Sequence, residues 1–378
     1  MNKQIRILHL IETKGPGGAE TVYIQIVKGM AERGYKSFPC VTGPGWVEST
    51  LKELGFYPAI ISTNRSFDFK FLSSLIQFIK NKRIDLIHSH LLGANLYASL
   101  AGIITRKPVI STFHGIVDIG RHQGMLNLLK GKIISFGSSK IVCVSKFLQK
   151  KLTSEGWAQK DKMEVIYNGV DLEKFSRNRK NINKCSLGFK ETDILIGIIG
   201  NIRPTKGHKY FIESAALVRK KFPNVKYLIV GHASGEDQRK FFTMIESFSL
   251  KTTVYFWGFQ KDVTNILANL NVFVVPSTSE GFSIATIEAM AMEVPVVATR
   301  CGGPEEIITD GKNGLLVSPA DSKTLANAII RILSTPELAS KFIQEGKKTA
   351  QRFSLDAMLS KYDFLYRKVF GLSCNQSN

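Results

Sequence analysis

The chain has 378 residues, 44% apolar and 22% charged, which suffices for two ordinary domains with buried cores and excludes a disordered protein. No run of about 18 apolar residues occurs and the start enters a strand pattern directly, so neither a membrane span nor a signal peptide is expected, and the protein should be soluble and cytoplasmic. The formal charge of +20 is concentrated: residues 1–186 carry 28 Lys+Arg against 13 Asp+Glu, which suits an anionic partner such as a membrane surface, a lipid phosphate, a nucleic acid or an acidic polysaccharide.

In chain order, the apolar run at 5–12 is followed by the glycine turn KGPGGAE (14–20) and an apolar helical pattern reaching Gly34. Strand-like runs follow at 38–43, 59–62, 85–90, 108–115, 140–145 and 163–169, with helical patterns between several of them. The polar stretch 176–184 has no apolar periodicity and reads as a linker. Alternation then restarts with a strand at 193–200, a helix over about 207–221, a strand at 225–231, a helix near 236–249 and a strand at 253–258. It continues through DVTNILANL (262–270), a strand at 272–277, a helix over about 282–292, and strands at 295–300 and 315–319. A last amphipathic segment spans 353–370. Strands and helices alternating at this length imply parallel sheets covered on both faces, here twice over. Facing sheets would place a ligand in the cleft between them, beyond the carboxyl ends of the strands.

Several residues in this frame can carry chemistry. In STSEGFSIATIEAMA (277–291), Glu280 and Glu288 are eight positions apart, so one helix would show both carboxylates on roughly one face, with Gly281 at the helix entry. In GNIRPTKGH (200–208), Arg203 and Lys206 follow a strand and precede a helix, so both cations could meet one diphosphate. The turn at 15–18 lacks the full G-x-G-x-x-G, and no acidic residue clearly ends the second strand, so a dehydrogenase is rejected. Gly17 and Gly18 fit a close backbone approach to phosphate or sugar. His114 closes one strand, while His88 and His90 close another; strand-end histidines often serve structure alone. No Asp-x-Asp occurs, and the five scattered cysteines show no zinc spacing, so no metal site is expected.

Together these segments resemble a family, the retaining glycosyltransferases of the GT-B type called family 4. The likeness runs from GPGGAE through TFHG, VSKF, IYNGVD, GNIRPTKGH, WGF, the 277–291 segment, VPVVATRCGGPEEII and NGLLVSP. It implies an α/β fold of two Rossmann-like domains facing a central cleft: an acceptor domain at 1–180, a donor domain at 181–352, and a C-terminal helix at 353–378 crossing back to the first. It also implies that Arg203 and Lys206 clamp the donor diphosphate, Glu288 holds the ribose, and Glu280 contacts the transferred sugar. Amides around Gly281, Phe282 and Ser283 would touch phosphate or sugar, His114 would sit beside the reacting face, and Gly17 and Gly18 would close the cleft. Trp257, Gly258 and Phe259 would lie near the base. Glu293 departs from the family, which often has glycine in that stretch.

The expected substrates are a nucleotide diphosphate sugar and a glycan or lipid-linked acceptor, with no cofactor, no metal and no nucleic acid. The segment 120–140 mixes Leu, Ile, Met and Phe with Lys as an interfacial helix does, so an anionic membrane surface is expected as a partner. The alternatives are a GT-B sugar-nucleotide epimerase or a phosphorylase-like enzyme of the same fold, and a non-catalytic basic protein that binds lipid or nucleic acid. The last would need stacking aromatics among its basic residues, which the 176–184 run lacks.

Overall fold

In the computed structural model, which describes residues 4–63, 68–116, 125–177 and 183–371, strands and helices alternate in two runs. The first contains β1 (Arg6–Ile11), α1 (Gly18–Glu32), β2 (Lys36–Val41), α2 (Trp46–Glu53), β3 (Ala59–Ile60), α3 (Phe69–Asn81) and β4 (Leu86–His90). It goes on with α4 (Leu92–Thr105), β5 (Val109–Phe113), α5 (Met125–Gly137), β6 (Lys140–Cys143), α6 (Lys146–Ser154) and β7 (Met163–Val165). The second begins with β8 (Ile194–Ile199), α7 (His208–Lys221), β9 (Val225–Val230), α8 (Gly235–Ser247), β10 (Val254–Gly258), α9 (Thr264–Asn269) and β11 (Val272–Val275). It ends with α10 (Ile284–Ala291), β12 (Val296–Thr299), β13 (Leu315–Val317), α11 (Ser322–Ser334), α12 (Pro336–Gln351) and α13 (Leu355–Val369).

The chain divides into two compact units, one of residues 1–169 and 355–378, the other of Val170–Ser354. The first boundary thus falls before the 176–184 stretch, of which residues 178–182 lie outside the described residues. The physical reason is local: the Val170 amide donates to the Phe353 carbonyl and Val170 bridges Ser354, so Val170 is already held by the second unit.

Unit 1 is a seven-stranded parallel sheet in the order β3-β2-β1-β4-β5-β6-β7. Its strands read as near-continuous apolar runs because helices cover both faces. On one face Leu8, Leu10, Ile87 and Val109 pack with Phe71, Leu75 and Tyr97; on the other Ile11 and Val41 pack with Tyr23 and Val27. Helix α13 is part of this unit. Its Tyr362 and Tyr366 are fully buried, Leu359 packs against Gly29 of α1, and Tyr35 Oη donates to Asp363 Oδ1 at 2.6 Å.

Unit 2 is a six-stranded parallel sheet in the order β10-β9-β8-β11-β12-β13. Ile196, Tyr227, Ile229, Val272 and Val274 form its core with Phe211, Leu325 and Ile329 from the covering helices. Between α10 and β12 the backbone of Glu293 is left-handed, φ 59°, a conformation that a non-glycine residue adopts at a cost of roughly 1 kcal/mol. This is where the family often has glycine. Arg177 donates to the Glu293 carbonyl at 3.2 Å and Lys347 to its carboxylate at 2.6 Å, which offsets the strain.

Candidate active site

Each sheet changes its direction of winding once. In unit 2 the chain lays β9 and β10 on one side of β8, then crosses to β11 on the other. The loops leaving β8 and β11 meet at that point, beyond the carboxyl ends of the strands, where open α/β sheets bind ligands. Arg203 and Lys206 stand on the first loop and Glu280 on the second.

The loop after β8 ends in a short 3-10 turn, Pro204–Lys206, capped by Arg203. Gly207 then takes φ 69°, and a side chain there would collide with the Pro276 carbonyl, so only glycine lets this turn lie against the end of β11. Thr278 N–H donates to the Thr205 carbonyl at 2.8 Å, tying the two loops together. Lys206 Nζ donates to Glu280 Oε1 at 2.6 Å, and Ser277 Oγ donates to the same oxygen at 2.7 Å. Glu280 is 9% exposed. Arg203 is exposed and makes no ion pair among the described residues, so it is the cation of this pair left open to an anion.

Sequence spacing placed Glu280 and Glu288 on one helical face, and the structure corrects this. Glu280 precedes the helix and forms an isolated bridge with Gly302: its N–H donates to the Cys301 carbonyl and its carbonyl accepts from Gly303 N–H. The helix begins at Ile284, capped by Ser283 rather than entered at Gly281. Ser283 is itself left-handed, φ 73°, and its Oγ lies 2.8 Å from Thr286 Oγ1. Phe282 is buried against Phe353, so only its backbone can serve a ligand. Glu288, inside α10, is half-buried, and desolvation raises its carboxyl to about 7 despite the nearby Lys174 cation. Trp257, Gly258 and Phe259 lie on and just after the edge strand β10, with Phe259 exposed.

In unit 1 the switch of winding lies between β1 and β4, and the Gly15–Gly18 turn leaves β1 there. Gly17 caps α1 with extended backbone, and the buried Glu20 carboxylate lies against it. This helix N-terminus therefore carries its own anion, which suits a sugar hydroxyl better than a phosphate.

The unit also collects four histidines: His9 on β1, His88 and His90 on β4, and His114 just after β5. Parallel register sets His9 beside His88. His114 Nε2 lies 2.9 Å from His90 Nδ1 with the rings stacked, and His90 packs on His88 with centroids 4.3 Å apart. His88 is held at both nitrogens, by Tyr366 Oη at 2.6 Å and Thr112 Oγ1 at 2.8 Å. Burial holds all four rings neutral, taking His9 and His114 down to about 3 and His88 and His90 well below the ordinary imidazole range. The described residues include no group of three or more His, Cys, Asp or Glu placed to hold a metal ion.

Four members of these constellations were not assigned from sequence: Ser277, which completes the Glu280 contacts, His9, and His88 and His90, seen only as strand ends. The pattern H-x-H at the end of β4 was the available signal for His90; nothing marked Ser277.

The description "Glycosyl transferases group 1" matches residues 179–349 and "Glycosyltransferase Family 4" matches residues 16–174. The chain is 30% identical over 293 residues to the glycosyltransferase EpsD of Bacillus subtilis, covering 74% of this chain and 75% of that one. It is 25% identical over 307 residues to the UDP-Gal:alpha-D-GlcNAc-diphosphoundecaprenol alpha-1,3-galactosyltransferase of Escherichia coli, covering 79% of each. Among solved structures, Anabaena HepE in complex with UDP-glucose superimposes with a TM-score of 0.87 at 22% identity, over 97% of this chain and 100% of that one. With two parallel α/β sheets and these matches along nearly its whole length, the chain belongs to the family 4, group 1 glycosyltransferases of the GT-B fold.

Proposed function

We propose that this glycosyltransferase takes a sugar from a nucleoside diphosphate donor with retention of configuration and without a metal, and passes it to a glycan or lipid-linked acceptor in surface polysaccharide assembly. The observation that carries the reading is the pairing of Lys206 with Glu280, with exposed Arg203 on the same loop, at the β8/β11 switch point, where open α/β sheets bind ligands. As the glycosidic C–O bond breaks, negative charge grows on the leaving diphosphate. Arg203 and Lys206 are placed to stabilise it, together with the amides around Gly281, Phe282 and Ser283 at the start of α10.

Glu280, already bonded to Lys206, would exchange part of that contact for sugar hydroxyls, and Glu288 would accept from the ribose. His114, Gly17 and Gly18 keep the roles that the family resemblance gives them. The acceptor hydroxyl attacks from the face the diphosphate leaves and the departing phosphate takes its proton, so no nucleophilic side chain is needed. The likeness to the E. coli galactosyltransferase supports a UDP-sugar and a diphosphate-linked lipid acceptor as the first substrates to try.

A lipid-linked acceptor sits at a membrane, and α5 supplies a surface for one. Met125, Leu126, Leu128, Leu129 and Phe136 are exposed, Met125 by 90% and Phe136 by 77%, and helical spacing puts them in one stripe with exposed Lys132. Residues 120–124 of the interfacial segment lie outside the described residues. Binding to anionic vesicles that salt weakens, and that Leu129→Ser/Phe136→Ser abolishes, is the expected result; no binding at low salt refutes the membrane role.

The donor reading is tested by thermal stabilisation with UDP, GDP and ADP in the presence of EDTA. A nucleotide at about 100 times its dissociation constant adds roughly 2.7 kcal/mol. Stabilisation by one of them, lost in Arg203→Ala/Lys206→Ala, is expected. No stabilisation by any nucleotide would refute the donor site.

A further inference from the structure

We propose that the groove between α13 and the edge strand β7 binds a monoanionic amphiphile, a fatty-acid carboxylate whose hydrocarbon chain lies between helix and strand and whose head meets Lys361. The groove belongs wholly to unit 1.

The sheet of unit 1 ends at β7, so no further strand closes the outer side of this groove. On α13, Lys361, Phe364, Leu365 and Lys368 follow at i, i+3, i+4 and i+7, the spacing of a single helical face. Opposite them stand Val165 and Ile166, and these six residues line most of a cavity of about 310 Å³, at the lower end of the range for small-molecule sites. Leu365 and Ile166 are buried, whereas Phe364 is 54% exposed, a large apolar wall open to water on a helix whose Tyr362 and Tyr366 are fully buried.

The charges select an anion with a single charge. Glu164, at one end of the groove, is shared by Lys368 at 3.1 Å and Lys140 at 3.6 Å, so its carboxylate is already matched. Lys361 is exposed, stands over the Tyr167 ring at 5.7 Å and makes no ion pair among the described residues. Helical rise separates Lys361 from Lys368 by about 10 Å, so a free cation marks one end of an aliphatic groove and a closed ion pair marks the other. Val165, Ile166 and Leu365 present no side-chain donors or acceptors that would orient a base or a sugar, which leaves hydrocarbon with one anionic head as the matching occupant. A chain held there joins α13 to the last strand of the sheet and adds to the closure of unit 1 by its final helix.

Calorimetry on the full-length protein reads the site through a series below micelle formation: hexanoate, octanoate, decanoate, dodecanoate and tetradecanoate, with decanol as the neutral probe. Affinity should rise about fourfold per methylene while the chain fills the groove, then level off once the chain outruns it. Decanol should bind about 5-fold more weakly than decanoate, and Lys361→Glu should remove that preference while leaving decanol unchanged. Phe364→Ser should weaken every member of the series, whereas Leu129→Ser/Phe136→Ser on α5 should weaken none. Circular dichroism of Lys361→Glu and Phe364→Ser, both at exposed positions, separates lost binding from lost fold.

Absence of decanoate and dodecanoate binding overturns the proposal. Affinity that climbs to tetradecanoate without levelling off also overturns it, because adsorption to open apolar surface has no limit of length. Binding lost in the α5 variant and kept in Lys361→Glu assigns the amphiphile to α5 and overturns the site between α13 and β7.

Discussion

Replacing Glu288 by Gln tests whether α10 stores a charge that folding disfavours. Burial raises the Glu288 carboxyl from its ordinary 4.5 to about 7. Below the unfolded value both states are protonated and the group costs nothing. As pH rises the unfolded chain ionises first, so stability falls progressively and is lower by about 3 kcal/mol once pH exceeds 7. Glu288→Gln keeps the shape and removes the ionisation. Urea unfolding of both proteins at pH 5 and pH 8, about the limits of that window, should therefore give a difference that grows with pH, the variant gaining about 3 kcal/mol relative to wild type at the alkaline end. An ionised carboxylate accepts from ribose hydroxyls more strongly than the protonated acid, so UDP affinity in wild type should rise across the same window and stay flat in the variant. A stability difference that does not change with pH would refute the reasoning.

Four further outcomes follow from the geometry. Lys206→Ala leaves the buried Glu280 carboxylate with Ser277 as its remaining side-chain partner among the described residues and should cost about 1–3 kcal/mol in denaturant unfolding, whereas Arg203→Ala, at an exposed cation with no ion pair among the described residues, should leave stability unchanged. In a transfer assay each should lower kcat by about 10²–10³. Tyr366→Phe deletes the 2.6 Å contact to His88 and should cost about 1–2 kcal/mol, read by chemical denaturation. Because burial lowers His9, His88, His90 and His114, the unfolded chain takes up their protons first, so the stability of unit 1 should begin to fall below about pH 6.5 and go on falling toward about pH 3, as seen by circular dichroism of wild type.

The alternation of strands and helices was legible because each core strand is a short run of β-branched and apolar residues bounded by polar or glycine positions. ILIGII, VKYLIV and VFVV stand where the pattern puts them, within a residue or two. The start of α10 was not legible. Its cap is a left-handed serine without a side-chain cap bond, and Gly281 mimics a helix entry two residues early. Pairing of Lys206 with Glu280 spans 74 residues and exists because β8 neighbours β11, a fact of winding order that no local pattern encodes. The histidine row is hidden for the same reason, since it needs β1, β4 and β5 side by side in register. Glu293, by contrast, was visible as a departure from the family, and its positive φ explains why glycine is at home there.

Unit 1 takes its last helix from beyond the whole of unit 2, and this reverses the order in which the halves can mature on the ribosome. Residues 1–169 emerge first, yet Tyr35 and His88 await Asp363 and Tyr366, which are made 328 and 278 residues later, and Gly29 awaits Leu359. Val170–Ser354, continuous in sequence, has all its partners as soon as it leaves the tunnel. The half synthesised second is thus the first able to close, and the basic half closes only once α13 has emerged behind it.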